Sequence, residues 1–255
     1  MSRILRRLVE RLAALWDALR LAPAARWVVA ACLVGYLVQR IGGRVELAPG
    51  VTYAASVLYG FGLCPPLLAR GFVWQVFTYM FLHANLVHLA LNSLTLLLFG
   101  AGLEIEIGAR RFLRVFALGG ALGGLAWVGF DAAVTGLASS GAPAWLQPLR
   151  DRALAHRGEP LGIPVVCVGA SGGIFALIGA YAALFPRRRI VLFVGWPLEL
   201  RARSVAILLG LATVAFAIYG LGNVAYLTHL FGGAAGYLLG LRLARQGWGS
   251  GMSDE

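Results

Sequence analysis

Long runs without a charged residue are the feature that most constrains this chain. The longest run, residues 204–241, continues for 38 positions. Because a helix that crosses a bilayer needs about 20 apolar residues, this run predicts two crossings, separated at the glycine-containing stretch 219–223. Four more crossings are predicted by the apolar segments 27–41, 86–103, 112–130 and 160–186. The sequence therefore predicts an all-α membrane protein with a bundle of six transmembrane helices, and an even number places both termini on one side.

The composition and the positions of the charges agree with this class. Hydrophobic residues make up 60% of the chain and charged residues only 13%, against about 25% charged residues in a typical soluble domain. All 22 basic residues are arginine. They form short clusters between the apolar runs, whereas a nucleic acid-binding domain carries them along one face. We therefore read the net charge of +11 as a signal of orientation in a lipid bilayer, and expect no nucleic acid partner.

The arginines also predict which side of the membrane the termini occupy. If the N-terminus is cytoplasmic, 16 arginines lie on the inner side and six on the outer side, as the positive-inside rule expects. The predicted organisation is a basic amphipathic segment over residues 1–22, a membrane domain over residues 23–245 and a short cytoplasmic tail over residues 246–255. The first segment suits a helix lying on the inner face of the membrane, or a solvated linker helix.

The two predicted outer loops differ in polarity. Residues 42–82 are strongly apolar. We expect this loop to enter the outer leaflet and to form short helices that satisfy its backbone hydrogen bonds. Residues 131–164 contain four prolines and are more polar, which predicts a loop in water.

Four polar side chains stand where the predicted helices should meet lipid, and such residues are expensive inside a bilayer. His88 and Asn92 share a face of the second span. Ser171 lies in the fourth span and His229 in the sixth. Counting about 1.5 Å per residue, each lies roughly 18 to 24 Å from the nearest inner charge, in a hydrocarbon core about 30 Å thick. Each alone is most simply a helix-packing residue, but the common depth of all four predicts one site.

Ser171 has the surroundings of a nucleophile. It lies in the stretch Gly169-Ala170-Ser171-Gly172-Gly173 at the start of a short helix, where its backbone N–H has no intrahelical partner. A serine needs a general base within hydrogen-bond reach, and His229 is the candidate. The Ser171 N–H, the Asn92 amide and a His88 ring N–H are candidate donors to an oxyanion. No carboxylate lies at this depth and the cysteines lack metal-ligand spacing, so the sequence predicts a Ser-His dyad without metal or other cofactor.

Small residues provide a way for the two helices of this dyad to approach. Beyond His229, glycine recurs every four residues at Gly232, Gly236 and Gly240, a pattern that allows close contact between membrane helices. The fourth span has a matching small face, formed by Gly172, Ala176, Ala180 and Ala183. Packing of the two faces would bring the Ser171 hydroxyl and the His229 imidazole together.

Three motifs, in order along the chain, resemble those of the rhomboid intramembrane serine proteases. They are His83-Ala84-Asn85-Leu86-Val87-His88-Leu89-Ala90-Leu91-Asn92, Gly169-Ala170-Ser171-Gly172, and His229-Leu230-Phe231-Gly232-Gly233-Ala234-Ala235-Gly236. After the second span, a fourth stretch also resembles the family's pattern of Glu, then Gly, then Arg-Phe; it contains Glu104, Gly108, Arg111 and Phe112. The similarity covers about residues 25–243 and implies a rhomboid-like six-helix fold.

The resemblance also implies a role for each site residue. Ser171 would be the nucleophile and His229 the base, while His88 and Asn92 would help to build the oxyanion hole. His83 would be a structural or water-site residue of the second span. Supporting positions near the dyad are Gly169, Gly172 and Phe175. The apolar first outer loop would be the family's membrane-embedded loop.

Two positions depart from the family's usual residues. Trp74-Gln75 stands in the first outer loop where the family often has Trp-Arg, so the contribution of this pair to loop stability is open. Phe175 stands where a tyrosine commonly packs on the catalytic histidine. Since phenylalanine keeps the ring and loses only the hydroxyl, we expect it still to orient His229.

The predicted activity is endoproteolysis of peptide bonds in or near transmembrane segments of membrane protein substrates. A catalytically silent rhomboid-like protein that binds membrane helices is the alternative. A small-solute transporter would call for acidic residues or broken helices that recur in two repeated halves of the chain, and the sequence shows neither pattern. The lysine-free composition and the six-span build suggest a bacterial inner membrane.

Overall fold

A computed structural model of the chain describes residues 20–41, 45–48, 51–53, 55–139, 166–193, 197–219 and 226–249. Its helices in chain order are α1 (Pro23–Ile41), α2 (Ala55–Phe61), α3 (Pro65–Leu68), α4 (Gln75–Thr78), α5 (Leu86–Ile107), α6 (Ala109–Ser139), α7 (Ser171–Leu184), α8 (Ala202–Tyr219) and α9 (Tyr226–Arg245). Most of the predicted amphipathic segment, the polar outer loop beyond residue 139, and the break after Tyr219 lie outside the described residues.

Four helices have the length and composition of membrane spans. They are α1, α5, α8 and the Ala109–Ala133 part of α6, and each overlaps one of the predicted apolar runs. By contrast, α7 is apolar but has 14 residues, about 21 Å of helix. These elements support the predicted all-α membrane class. The count of six crossings and the cytoplasmic placement of both termini stay predictions.

Helix α7 lies at the centre of the bundle because it is apolar on all sides. Ten of its 14 residues are buried, as expected of a helix without a polar face. It packs closely on α9 where both helices have small residues. A Cβ added at Gly236 would overlap the Ala176 carbonyl, and one added at Gly240 would lie 2.8 Å from the Ala180 Cα. The two helices can approach this closely only because these α9 positions have no side chain.

A buried carboxylate joins α5 to the start of α1. Both oxygens of Glu104 accept backbone hydrogen bonds, from the Ala24 N–H at 2.8 Å and the Ala25 N–H at 2.7 Å. The first N–H groups of a helix lack intrahelical acceptors and favour negative charge, so Glu104 satisfies two of them although it is only 2% exposed. At Gly108 the backbone has a φ of 78°, a conformation that glycine adopts easily, and this ends α5 just before α6 begins.

Besides its helices, the structure contains two short antiparallel hairpins, which the all-α prediction does not include. Strands β1 (Val45–Ala48) and β2 (Val51–Tyr53) pair in the first outer loop, and β3 (Arg189–Phe193) and β4 (Pro197–Arg201) pair between α7 and α8. Short runs of β-branched and apolar residues around a turn are typical of hairpins. The prediction does not include them because these runs are shorter than a membrane span.

The described part of the apolar outer loop does form the expected short helices, α2, α3 and α4. Gln75, which is fully buried, holds them together. Its Oε1 accepts from the Cys64 N–H at 3.1 Å, and its Nε2 donates to the Tyr59 carbonyl at 2.6 Å. Gln75 therefore contributes directly to the packing of this loop. The three cysteines, Cys32, Cys64 and Cys167, are free and buried.

The opposite end of the bundle is rich in arginine. We call it the arginine-rich end; it contains Arg111, Arg187, Arg188, Arg189, Arg201, Arg203, Arg242 and Arg245. Arg188 pairs with Glu106 at the end of α5. The guanidinium of Arg111 lies 3.8 Å from the centre of the Trp248 ring, a cation–π contact. The described part of the predicted tail, residues 246–249, therefore folds back onto the helices rather than extending away from them.

Candidate active site

The two residues of the predicted Ser-His dyad are in contact. Ser171 is the first residue of α7 and His229 lies in the first turn of α9. The Ser171 Oγ and the His229 Nε2 are 2.7 Å apart, the distance of a strong hydrogen bond. Glycines set this distance: a Cβ at Gly232 would overlap the Gly172 carbonyl, and one at Gly172 would lie 2.7 Å from the Thr228 Cγ2. The close approach of the helix starts thus places the hydroxyl beside the imidazole.

An aromatic ring covers one face of the His229 imidazole. Phe175 lies one helical turn after Ser171, and its ring stacks on His229 with centroids 4.4 Å apart and planes 5° apart. Such a parallel stack restricts rotation of the imidazole. The ring on His229 is therefore that of phenylalanine, and its effect on the orientation of the histidine stays a prediction.

The turn before Ser171 depends on a glycine. Gly169 has a φ of +123°, which side-chain-bearing residues rarely adopt, and its N–H donates to the Tyr79 carbonyl at 3.0 Å. The backbone N–H groups of the first α7 turn have no acceptor within the helix. They are therefore available to a negatively charged oxygen near the Ser171 hydroxyl.

His88 and Asn92 lie against this same turn. A Cβ at Gly169 would be 2.9 Å from the His88 Nε2 and 3.5 Å from the Asn92 Nδ2. The Asn92 Nδ2 is buried and has no hydrogen-bond partner among the described residues. An unpaired buried donor is costly unless a ligand or water satisfies it. Both side chains thus stand beside the serine turn with a nitrogen directed toward it.

His83 lies at the edge of the second predicted span, in the turn before α5. Asn85 caps this helix: the Asn85 Oδ1 accepts from the His88 N–H at 2.8 Å. The His83 ring is fully buried and meets the His88 ring edge to face, with centroids 5.1 Å apart. Burial, aided by His88, lowers the pKa of His83 to about 4, so the ring is neutral near pH 7.

Sequence reasoning missed three residues that position the site. Tyr79 is fully buried, and its hydroxyl donates to the Gly120 carbonyl at 2.7 Å. Gln39 of α1 accepts from the His83 N–H at 3.2 Å. Asn85, as the N-cap, could have been found from its place directly before an apolar helix; the contacts of Tyr79 and Gln39 join segments far apart in sequence and leave no local signal.

The polar groups that the described residues place beside the dyad include the side chains of His88 and Asn92 and the backbone N–H groups at the start of α7. Among the described residues, no acidic side chain hydrogen-bonds to His229. The arrangement can transfer a proton between a hydroxyl and an imidazole and can donate hydrogen bonds to an oxyanion. These are the elements of acyl transfer by a serine-histidine pair.

Comparison with known proteins points the same way. The family model described as Rhomboid domain matches residues 70–246. This match begins later in the chain than the resemblance over about residues 25–243 that the motifs indicate. The chain is 32% identical over 172 residues to "Putative rhomboid protease YdcA" of Bacillus subtilis (strain 168), which covers 68% of each protein.

Two further relatives share shorter parts of their own length. Rhomboid protease GluP of Bacillus subtilis (strain 168) is 28% identical over 203 residues, covering 79% of this chain and 31% of GluP. Rhomboid-related protein 3 of Homo sapiens is 32% identical over 114 residues, covering 45% of this chain and 20% of that protein. Since the family model spans well over half of the chain, this integral membrane protein belongs to the rhomboid family.

Proposed function

We propose that this protein is an intramembrane serine endopeptidase that cleaves peptide bonds in or near transmembrane segments of membrane protein substrates. The observation that carries the proposal is the 2.7 Å distance between the Ser171 Oγ and the His229 Nε2. Hydroxyl and imidazole at this distance form an activated nucleophile without a third side chain. The proposal is supported by the relatives named as rhomboid proteases.

In the proposed reaction, His229 accepts the Ser171 proton while the Oγ attacks the scissile carbonyl carbon. The resulting oxyanion receives hydrogen bonds from the Ser171 N–H, the Asn92 amide and the His88 ring. Collapse of this intermediate breaks the C–N bond, and the His229 imidazolium gives its proton to the leaving amine. Water then attacks the acyl-serine with His229 again as base, which releases the new carboxyl group and restores the hydroxyl.

The depth of the serine fits a substrate that lies in the bilayer. If the end of α7 near Arg187 is at the inner boundary, a helix of about 21 Å leaves Ser171 below the outer boundary of a core about 30 Å thick. Ser171 is partly exposed, which gives water a path from the outer side. A substrate helix hides its peptide bonds, so it must unwind locally, and residues that weaken helices are expected near the cleavage position.

The same proposal includes the topology. Six crossings with both termini in the cytoplasm place most arginines on the inner side. We assign the protein to a bacterial inner membrane on the basis of its arginine-rich, lysine-free composition. The reaction as written uses only side chains, backbone groups and water.

The test is labelling by a fluorophosphonate probe, which reacts with activated serines. We expect the wild type to be labelled, Ser171→Ala to be unlabelled and His229→Ala to lose most of the label. Ser204→Ala is the matched control, because Ser204 lies near the start of α8 at the arginine-rich end, and it should label like the wild type. Absence of label and of substrate cleavage in the wild type would instead favour a silent, helix-binding member of the family.

A further inference from the structure

A groove runs between α7, α8 and α9 below the candidate active site. Its volume is about 410 Å³. One end is formed by Phe175 and His229, and the other by Arg203, the second residue of α8. The groove thus leads from the imidazole to the arginine-rich end.

The groove follows the helix axes. Its lining covers residues 175–182 of α7, 203–210 of α8 and 229–237 of α9, each about 10 to 12 Å of helix. One leaflet of a hydrocarbon core about 30 Å thick is about 15 Å deep. An occupant that enters at Arg203 would therefore extend through most of one leaflet.

The length of the groove argues against a spanning helix as the occupant. The lining extends only about 10 to 12 Å along the helix axes, whereas a helix that crosses the hydrocarbon core would continue for about 30 Å. An extended peptide is disfavoured by the lining chemistry. Apart from Arg203, His229 and Tyr237, every lining side chain is apolar or absent, so the N–H and C=O groups of a peptide would find few partners.

The remaining candidate for the occupant of the groove is a flexible apolar chain with an anionic group at one end. The long part of the groove offers only hydrophobic contact, and Arg203 supplies a positive charge at its mouth. Arg203 is exposed, and among the described residues no acidic side chain pairs with it. A guanidinium is well suited to binding a phosphate through two hydrogen bonds.

We propose that this groove binds one acyl chain of an anionic phospholipid from the leaflet at the arginine-rich end, with the lipid phosphate on Arg203. The end of the chain would then pack near Phe175 and His229. Gly210 marks the open space that the chain occupies: a Cβ added there meets no atom within 4 Å. On the facing wall, a Cβ at Gly233 would be 3.7 to 4.0 Å from Phe175, which is ordinary packing distance.

The first experiment maps the position of the acyl chain. Phosphatidylglycerol with a diazirine at the end of one chain is cross-linked to Ser171→Ala protein, so that the result does not depend on proteolysis. We expect labelled peptides from the three lining stretches, and at least a fivefold loss of this label in Gly210→Leu, whose side chain fills the groove. Gly129→Leu is the matched control, since a Cβ at Gly129 of α6 also meets open space but lies outside the groove; its label should not change.

The second experiment tests the phosphate. Unlabelled phosphatidylglycerol should compete for the site at least fivefold better than diacylglycerol with the same chains, and Arg203→Gln should abolish this preference. Arg110→Gln, an exposed arginine at the start of α6, should keep it. The proposal is wrong if the label spreads evenly over the exposed faces of α1 and α5 and does not respond to Gly210→Leu. Equal competition by diacylglycerol would overturn the assignment of the phosphate to Arg203.

Discussion

The ring of Phe175 lies flat against the imidazole of His229, with 4.4 Å between ring centroids and 5° between ring planes. The same imidazole is 2.7 Å from the Ser171 hydroxyl. The stack fixes the plane of the proposed base, and a base displaced by about 1 Å can lose about 100-fold in rate. The orientation of His229 therefore depends on an aromatic ring at position 175, not on a hydroxyl.

Replacement of Phe175 tests this dependence. Phe175→Leu keeps an apolar side chain but removes the ring, and we expect its kcat on a transmembrane substrate to fall by about 10- to 100-fold because the imidazole is freed to rotate. Phe175→Tyr keeps the stack and should lose far less. Melting temperature is measured alongside kcat to separate catalysis from stability. Equal losses in the two variants would show that the stack does not orient the base.

The contact between Gly236 and Ala176 predicts a strong effect of a small substitution. A side chain at Gly236 would overlap the Ala176 carbonyl, so Gly236→Val must push α9 away from α7. Overpacking of this kind costs about 1–3 kcal/mol, and the separation should also weaken fluorophosphonate labelling of Ser171. Gly129→Val introduces the same residue where a Cβ has open space. The explanation fails if both valine variants show the same change in melting temperature and labelling.

Much of the bundle could be predicted because its signals are local. An apolar run of about 20 residues defines a span wherever it occurs, and counting residues from the nearest charge was enough to place Ser171 and His229 at a common depth. The small-residue spacing of Gly232, Gly236 and Gly240 is likewise readable without knowing the partner helix.

What could not be predicted depends on contacts between distant segments. The Glu104 carboxylate reads as the first inner charge after a span, yet it bonds to the N–H groups of Ala24 and Ala25, 80 and 79 residues away. The Arg111–Trp248 stack joins the start of α6 to the segment after α9. The buried His83 ring meets the His88 ring, and its backbone N–H bonds to Gln39 of α1, 44 residues away.

Neutralising Glu104 is expected to destabilise the protein. Glu104→Gln keeps one oxygen acceptor but replaces the other with an NH₂ group facing the helix N-terminus. Hydrogen bonds to charged groups contribute about 1.5–3 kcal/mol each, so the free energy of unfolding should fall by about 2 kcal/mol or more. The measurement is unfolding in denaturant in mild detergent.

Glu106 provides the control on the same helix. Its pair with Arg188 is more exposed, with side-chain exposures of 21% and 38%, and exposed ion pairs contribute about 0–1 kcal/mol. Glu106→Gln should therefore change stability much less than Glu104→Gln. A reversed order would contradict the capping role of Glu104.

Gln75 gives the sharpest test of the outer loop, because it both accepts and donates. Its Oε1 accepts from the Cys64 N–H and its Nε2 donates to the Tyr59 carbonyl. Gln75→Leu leaves both backbone groups unpaired, at about 1–3 kcal/mol for each buried group, and should speed proteolysis within residues 55–82.

Gln75→Arg should not rescue the loop, although the family often has arginine here, because a guanidinium donates five hydrogen bonds and accepts none. It can satisfy the Tyr59 carbonyl but not the Cys64 N–H. Limited proteolysis and melting temperature measure the effect, and Val73→Leu, at a position 65% exposed, is the control. An arginine variant as stable as the wild type would mean that the Cys64 N–H bond does not hold the loop.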